Sequence, residues 1–368
     1  MALAIGTRTL PTYSHRCSRK DFTQPQLFAC LVLRQFFRTD YRGIVAMLDD
    51  WPALCKIIGL SKAPHFTTLQ KAENRLLRDT QVHALLSASI ELYHGLGPWS
   101  DGKPAQVVSV EITAADSTGF ALDRASRYFI KRRNRSDKTS SNPHYQTTTY
   151  RRFGKLGIVI DCDRHLILST HRSRGPRPDV DQLQPLLDNF CDHVIPDCML
   201  LDAGYDSEAN HERLRERLGI TSWIPPTAGR PTDKLPAGKW RWLMATAFDE
   251  ELYGQRWQVE TVMYMIKCRQ GPPLRARKYQ TRRREMGLMS ITHNIMILYF
   301  WGGFLQSMPT AFLAMDAKRS VRLPRLAAIR PKMRMLFCPP IFSSTLIALR
   351  LTDCSELFNS PSTASSAC

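Results

Sequence analysis

CMLLDAGYDSEANHERLRERLGITSWIPP, residues 198–226, reads as strand, helix and strand in quick succession. CMLL is a short apolar run of the kind that forms a buried strand, and it ends at Asp202 and a small-residue turn at Gly204. SEANHERLRERLG carries apolar residues at helical intervals and is closed by Gly219. ITSWIPP is a second strand, stopped by Pro225. Asp206, just ahead of the helix, reads as its N-cap.

The neighbouring stretches extend the pattern. VVSVEITAADSTGF, from Val107, is β-rich and ends in turn residues, with Ser117 and Gly119 expected to lead the chain away after Asp116. LGIVIDCDRHLIL, residues 156–168, predicts two strands joined by a tight turn at Asp161–Arg164, where Asp161 and Asp163 are turn formers. DVDQLQPLLDNF is helical, and Phe248–Arg269 is one long helix. Strands first, then strands alternating with helices, predict a mixed α/β domain over residues 101–300.

Residues 1–100 predict helices instead. FTQPQLFACLVLRQFF has helical periodicity, and YRGIVAMLDDWPALCKIIGL follows with a break at Trp51-Pro52. In HFTTLQKAENRLL, Thr67 and Gln70 fit a capping box. A short helix, a turn at Gly59 and a second helix form a possible helix-turn-helix, with Lys71 and Arg75 offered to DNA. HGLGPWSDGKPAQ, residues 94–106, reads as a linker. Residues 301–368 read as a basic, Pro-interrupted, poorly ordered tail.

Charge narrows the partner. The 368 residues carry 51 Lys and Arg against 33 Asp and Glu, a formal net charge of +18, which points to a polyanion and above all nucleic acid. Arg124–Arg152 concentrates this charge, with Lys131, Arg132 and Arg133 interleaved with aromatic residues, as a phosphate-backbone groove would require. The ten cysteines are scattered without a C-x-x-C pair, which argues against a zinc site or a dense disulfide framework and for reduced thiols. The N-terminus lacks a secretory signal, and no apolar run is long enough to span a membrane. His144 and His211 have no evident partners in the sequence and receive no role.

Three carboxylates stand apart from the other acids. Asp116 and Asp202 each end an expected strand, and in open α/β sheets ligands gather at the carboxyl ends of strands. Alone, either is an ordinary turn former. Glu260 is the single acid in YGQRWQVETVMYMIK, residues 253–267. At about 100° per residue, Tyr253, Arg256, Glu260 and Lys267 fall within a stripe of roughly 60°, opposite Val259, Val262 and Ile266. One face can pack on a sheet while the other presents an acid between cations. The competing reading is a plain i,i+4 ion pair between Arg256 and Glu260.

DSTG at 116–119, LDAGYDSEANHERLRERLGI at 201–220 and Tyr253-x2-Arg256-x3-Glu260-x6-Lys267 resemble the DDE transposases of bacterial insertion sequences, in the branch with the Tyr-Arg-Glu-Lys signature. The resemblance spans about residues 20–300. It implies a ribonuclease-H-like fold, a mixed sheet flanked by helices and preceded by the small helical region. It implies Asp116, Asp202 and Glu260 as catalytic metal ligands, with Tyr253, Arg256 and Lys267 as their helix partners on DNA. It also implies two Mg²⁺ ions, replaceable by Mn²⁺, cleaving and joining duplex DNA at element ends and target, in a synaptic homodimer in the bacterial cytoplasm near the nucleoid. A nuclease that cleaves without joining, and an inactive copy that only binds DNA, are the competing functions. The tail beyond residue 300 departs from the family pattern and suggests a fused or shifted reading frame.

Overall fold

A computed structural model describes residues 1–95, 108–121, 153–190, 194–226 and 235–307. The basic segment with Lys131, Arg132 and Arg133, most of the expected linker, and the tail past Ser307 lie outside these residues.

The N-terminal part is helical, as its periodicity predicts: α1 (Ala2–Thr9), α2 (Gln24–Phe36), α3 (Tyr41–Asp50), α4 (Pro52–Ile58), α5 (Phe66–Leu76) and α6 (Asp79–Gly95). Pro52 opens α4, where its missing N–H removes no helical bond, and Gly59 closes it at a φ of 75°. The capping box sits elsewhere than predicted. Thr67 lies inside the first turn of α5, whose N-cap is His65, its side chain accepting from the Thr67 N–H. The reciprocal pair is Thr23 with Gln26 at the start of α2, the T-x-x-Q form of the same motif.

Five strands follow among the described residues: β1 (Val108–Phe120), β2 (Phe153–Asp161), β3 (Ile167–Gly175), β4 (Val194–Leu201) and β5 (Thr221–Trp223), in the order β3-β2-β1-β4-β5. β1 to β3 form an antiparallel meander, while β4 joins β1 and β5 joins β4 in parallel. This is the ribonuclease-H-like mixed sheet. The β2–β3 hairpin turns where predicted, with the Asp161 carboxylate accepting from the backbone N–H groups of Asp163 and Arg164 at 2.9 and 3.1 Å.

The sheet is covered on both faces, so β2 is buried almost throughout rather than alternating. Successive side chains still part to opposite sides. Leu156, Ile158, Ile160, Ala114 and Leu200 join one core with Phe28, Leu31 and Leu85 of the N-terminal helices. Val159, Ala115, Met199 and Leu201 join a second core with Leu183, Leu186, Tyr205 and Leu214. That second layer comes from α7 (Leu183–Asp188) and from α8 (Glu208–Glu212), which runs on into a π-helical turn over Arg213–Arg217. Ser207, not Asp206, caps α8. Asp206 is instead bound through both carboxylate oxygens by Arg241, at 2.9 and 2.8 Å, so its acid serves a long-range tie.

Four helices follow among the described residues: α9 (Lys239–Thr246), α10 (Glu250–Tyr253), α11 (Trp257–Gln270) and α12 (Tyr279–Ser307). The single helix expected over Phe248–Arg269 is broken. Asp249 caps α10, and a 3-10 turn over Gly254–Arg256 separates it from α11, at a glycine that favours helix poorly.

Asn294 of α12 ties the helical layer to the sheet. Buried, it accepts from the Ile167 N–H and donates to the Ile167 carbonyl and to Ser89 of α6, at 2.8, 2.9 and 2.9 Å. Asn294→Leu would leave two strand groups unsatisfied, at about 1–3 kcal/mol each. Urea denaturation should show a loss on the order of 3 kcal/mol; wild-type stability in this variant would contradict the role.

Candidate functional site

The site begins where parallel pairing stops. β1 and β4 pair as far as Ala115 opposite Leu201, so Asp116 and Asp202 are the next residue on each strand. β1 does not end there, against expectation. Ser117, Thr118, Gly119 and Phe120 continue as a strand because β2 pairs them antiparallel with Gly157, Leu156, Lys155 and Gly154. A partner strand thus overrides the local turn tendency of Ser117 and Gly119. Asp116 is therefore braced on one side and half-buried. Asp202 leaves the sheet, is exposed, and leads into the 3-10 turn Ala203–Tyr205.

The helical segment after β5 crosses these strand ends. The Tyr253 hydroxyl donates to the carbonyl of Leu201, directly before Asp202, at 3.2 Å. Its ring stacks edge-on against Phe248, and Phe248 against Trp223 of β5, with centroids 5.0 and 5.8 Å apart. At the last residue of the 3-10 turn, Arg256 reaches two acids: Nη2 donates to Glu260 Oε1 at 2.7 Å, and Nη1 lies 3.6 Å from Asp116 Oδ2. The i,i+4 pair is thus present but is only half of what Arg256 does. Lys267, farther along α11, donates from Nζ to Thr118 Oγ1 at 2.5 Å and sits 5.5 Å from the centre of the Phe120 ring. Val259, Val262 and Ile266 are buried in the core, as the helical wheel predicts, while the Glu260 side chain is 58% exposed.

The electrostatics follow from this placement. Burial pushes the Asp116 carboxyl up to about 6, against the opposing pull of the Ser117 N–H and Arg256, while the charges of Asp202 and Asp179 raise it further. Burial lowers the Lys267 ammonium. Burial also acts to lower Arg256, but Tyr253, Glu260 and Asp202 outweigh it and hold the guanidinium more firmly charged.

The structure adds residues that the sequence reading passed over. Asp179, between β3 and α7, accepts from Ser117 Oγ at 2.5 Å and pairs with Lys155 at 2.8 Å. Both contacts cross from one element to another, so no local pattern announces them. Lys71 is exposed on α5, whereas Arg75 is partly buried and donates to Gln24 at 3.3 Å. His211 is buried against Ser222 at 2.7 Å, and burial lowers it to about 4. His144 lies outside the described residues.

A divalent cation fits the chemistry of this donor set. The acids supply hard oxygen ligands, Asp116 is a half-buried acid acted on by the charges of Asp202 and Asp179, and a guanidinium is already drawn between Asp116 and Glu260. Among the described residues no three His, Cys, Asp or Glu side chains form a preassembled metal cage. Glu260 meets Asp116 through Arg256.

A family model described as "Transposase DDE domain" matches residues 110–295, just over half of the chain. A solved structure of a piggyBac transposase synaptic complex with hairpin DNA is similar at 10% identity and a TM-score of 0.43, over 100% of this chain and 83% of the other, a likeness too distant to carry weight. A comparison with curated proteins returned no match.

Because the Asp116 carboxyl is raised, the native state holds that proton more tightly than the unfolded chain does. Its ionisation therefore removes stability as pH climbs from about 4 to about 6, and the loss is complete above that window. In EDTA, Asp116→Asn should gain on the order of 2 kcal/mol at pH 7.5 and almost nothing near pH 4. Urea midpoints at the two pH values read this directly, and an equal gain at both would rule out burial of the charge as the cause.

Proposed function

The chain belongs to the transposase DDE domain family, and from this we propose that it mobilises an insertion sequence of the Tyr-Arg-Glu-Lys branch, with Asp116, Asp202 and Glu260 as its catalytic acids. The family cleaves DNA and transfers the freed strand, using divalent metal ions. The observation that carries the assignment is the meeting of three elements at one arginine. Arg256 bridges Asp116 of β1 and Glu260 of α11, and the charge of Asp202, at the end of β4, acts on both Asp116 and Arg256.

In this reading Asp116, Asp202 and Glu260 hold two Mg²⁺ ions, with Mn²⁺ an acceptable substitute. Bound there, the ions would supply an activated water or 3′-hydroxyl and stabilise the leaving oxygen of the phosphodiester. The residues themselves bind and orient. Arg256 and Lys267 contact phosphates of the element end, the former with a planar fork suited to two oxygens. Tyr253, tied to Leu201, keeps the segment before Arg256 against the end of β4. Lys71 and Arg75 of residues 1–100, and Lys131, Arg132 and Arg133, contribute the surrounding DNA contacts, consistent with the net charge of +18. Residues 101–300 form the catalytic domain and 301–368 the basic C-terminal tail, whose first residues, up to Ser307, still belong to α12. Two copies act together in the synaptic complex, in the bacterial cytoplasm.

The test is strand transfer of an oligonucleotide duplex carrying the element's own terminus. Mg²⁺ should support cleavage and joining, and EDTA should stop both. Asp116→Asn should reduce both steps at least about a thousandfold while still shifting the end duplex in a gel. Cleavage at the wild-type rate by that variant would overturn the assignment.

A further inference from the structure

Neighbouring residues of a strand face opposite sides of the sheet. Asp116 lies on the face of Ala114, toward α11, while Ser117 lies on the face of Ala115, toward the second core. On that second face Ser117 Oγ donates to Asp179 Oδ1 at 2.5 Å. The same oxygen takes the Lys155 ammonium at 2.8 Å. The Lys155 side chain is only 9% exposed, and its Nζ also donates to the Arg177 carbonyl at 2.5 Å. A buried ammonium requires its counter-charge, so the pair holds Asp179 in place.

Asp179 touches both acid-bearing segments. Ser117, which it binds, donates its backbone N–H to Asp116 Oδ1 at 2.6 Å. On the other side Asp179 abuts Gly204, where an added Cβ would stand 3.4 Å from the Asp179 Cβ. Gly204 belongs to the 3-10 turn that Asp202 begins, closed by the Tyr205 N–H on the Asp202 carbonyl at 2.9 Å.

We propose that Asp179 is a positioning residue: locked by Lys155, it fixes Ser117 and the Gly204 turn from behind the sheet and so sets the aim and spacing of Asp116 and Asp202 as ligands for a divalent cation. The proposal rests on the reading of those two acids given above. Groups that orient metal ligands typically change metal affinity or activity by about 10–100-fold when removed.

The experiment compares full-length wild type with Ser117→Ala, Asp179→Asn and Asp116→Asn. Mn²⁺ binding is followed without DNA, by the paramagnetic resonance of the free ion. Strand transfer is followed against Mg²⁺ concentration, and folding by urea denaturation. Ser117→Ala keeps the Lys155–Asp179 pair and should unfold like wild type, yet bind Mn²⁺ about tenfold more weakly and need correspondingly more Mg²⁺. Asp179→Asn should show the same metal defect together with a lower urea midpoint, because Lys155 loses its counter-charge. End-duplex binding should be unchanged in both. Wild-type Mn²⁺ affinity in Ser117→Ala, with Asp116→Asn weakened, sinks this proposal alone. Wild-type affinity in Asp116→Asn sinks the ligand assignment and the positioning role together.

Discussion

The parallel ladder between β1 and β4 closes on Ala115 opposite Leu201, and that rung governs everything placed beyond it. A slip of one residue would exchange the faces of either strand, sending Asp116 into the apolar layer of Leu183 and Leu186. The register is held because both faces are buried: Ala114 and Leu200 fill one core, Ala115 and Leu201 the other. Two aspartates then stand side by side in unlike settings. β2 continues along β1 and confines Asp116, whereas nothing in the sheet accompanies Asp202.

Confinement makes Asp116 an unusually weak acid, and Arg256 is the local answer to it. A carboxylate withdrawn from water among like charges favours a nearby cation. A guanidinium suits the position better than an ammonium would, because its planar fork can meet two carboxylates at once. The short 3-10 turn matters here as well. It lets Tyr253 reach back to Leu201 while Arg256 turns toward Asp116, before α11 resumes with its apolar face inward.

Much of this was legible in the sequence. Apolar runs and turn residues marked the strands, and the acids at 116, 202 and 260 stood out by position and by the spacing of their neighbours. What escaped notice depended on partners distant in the chain. Ser117 and Gly119 look like turn formers until β2 is laid beside them. Asp206 looks like a cap until Arg241 arrives. Asp179 and Ser117 are 62 residues apart, and neither belongs to a local motif that would pair them. The broken helix is a milder case, since Gly254 hints at it but the periodicity on either side conceals it.

Asn294 carries a consequence of a different kind. β3 and β5 are the borders of the sheet, and a bare border invites another chain to add itself. At Ile167 one side chain imitates the donor and acceptor that such an incoming chain would offer, so that rung is already taken. At the far border β5 gives only Thr221–Trp223, a template too brief to seat a guest. Among the described residues, the border of β3 is thus closed to an added strand at its first rung by a side chain of the same molecule.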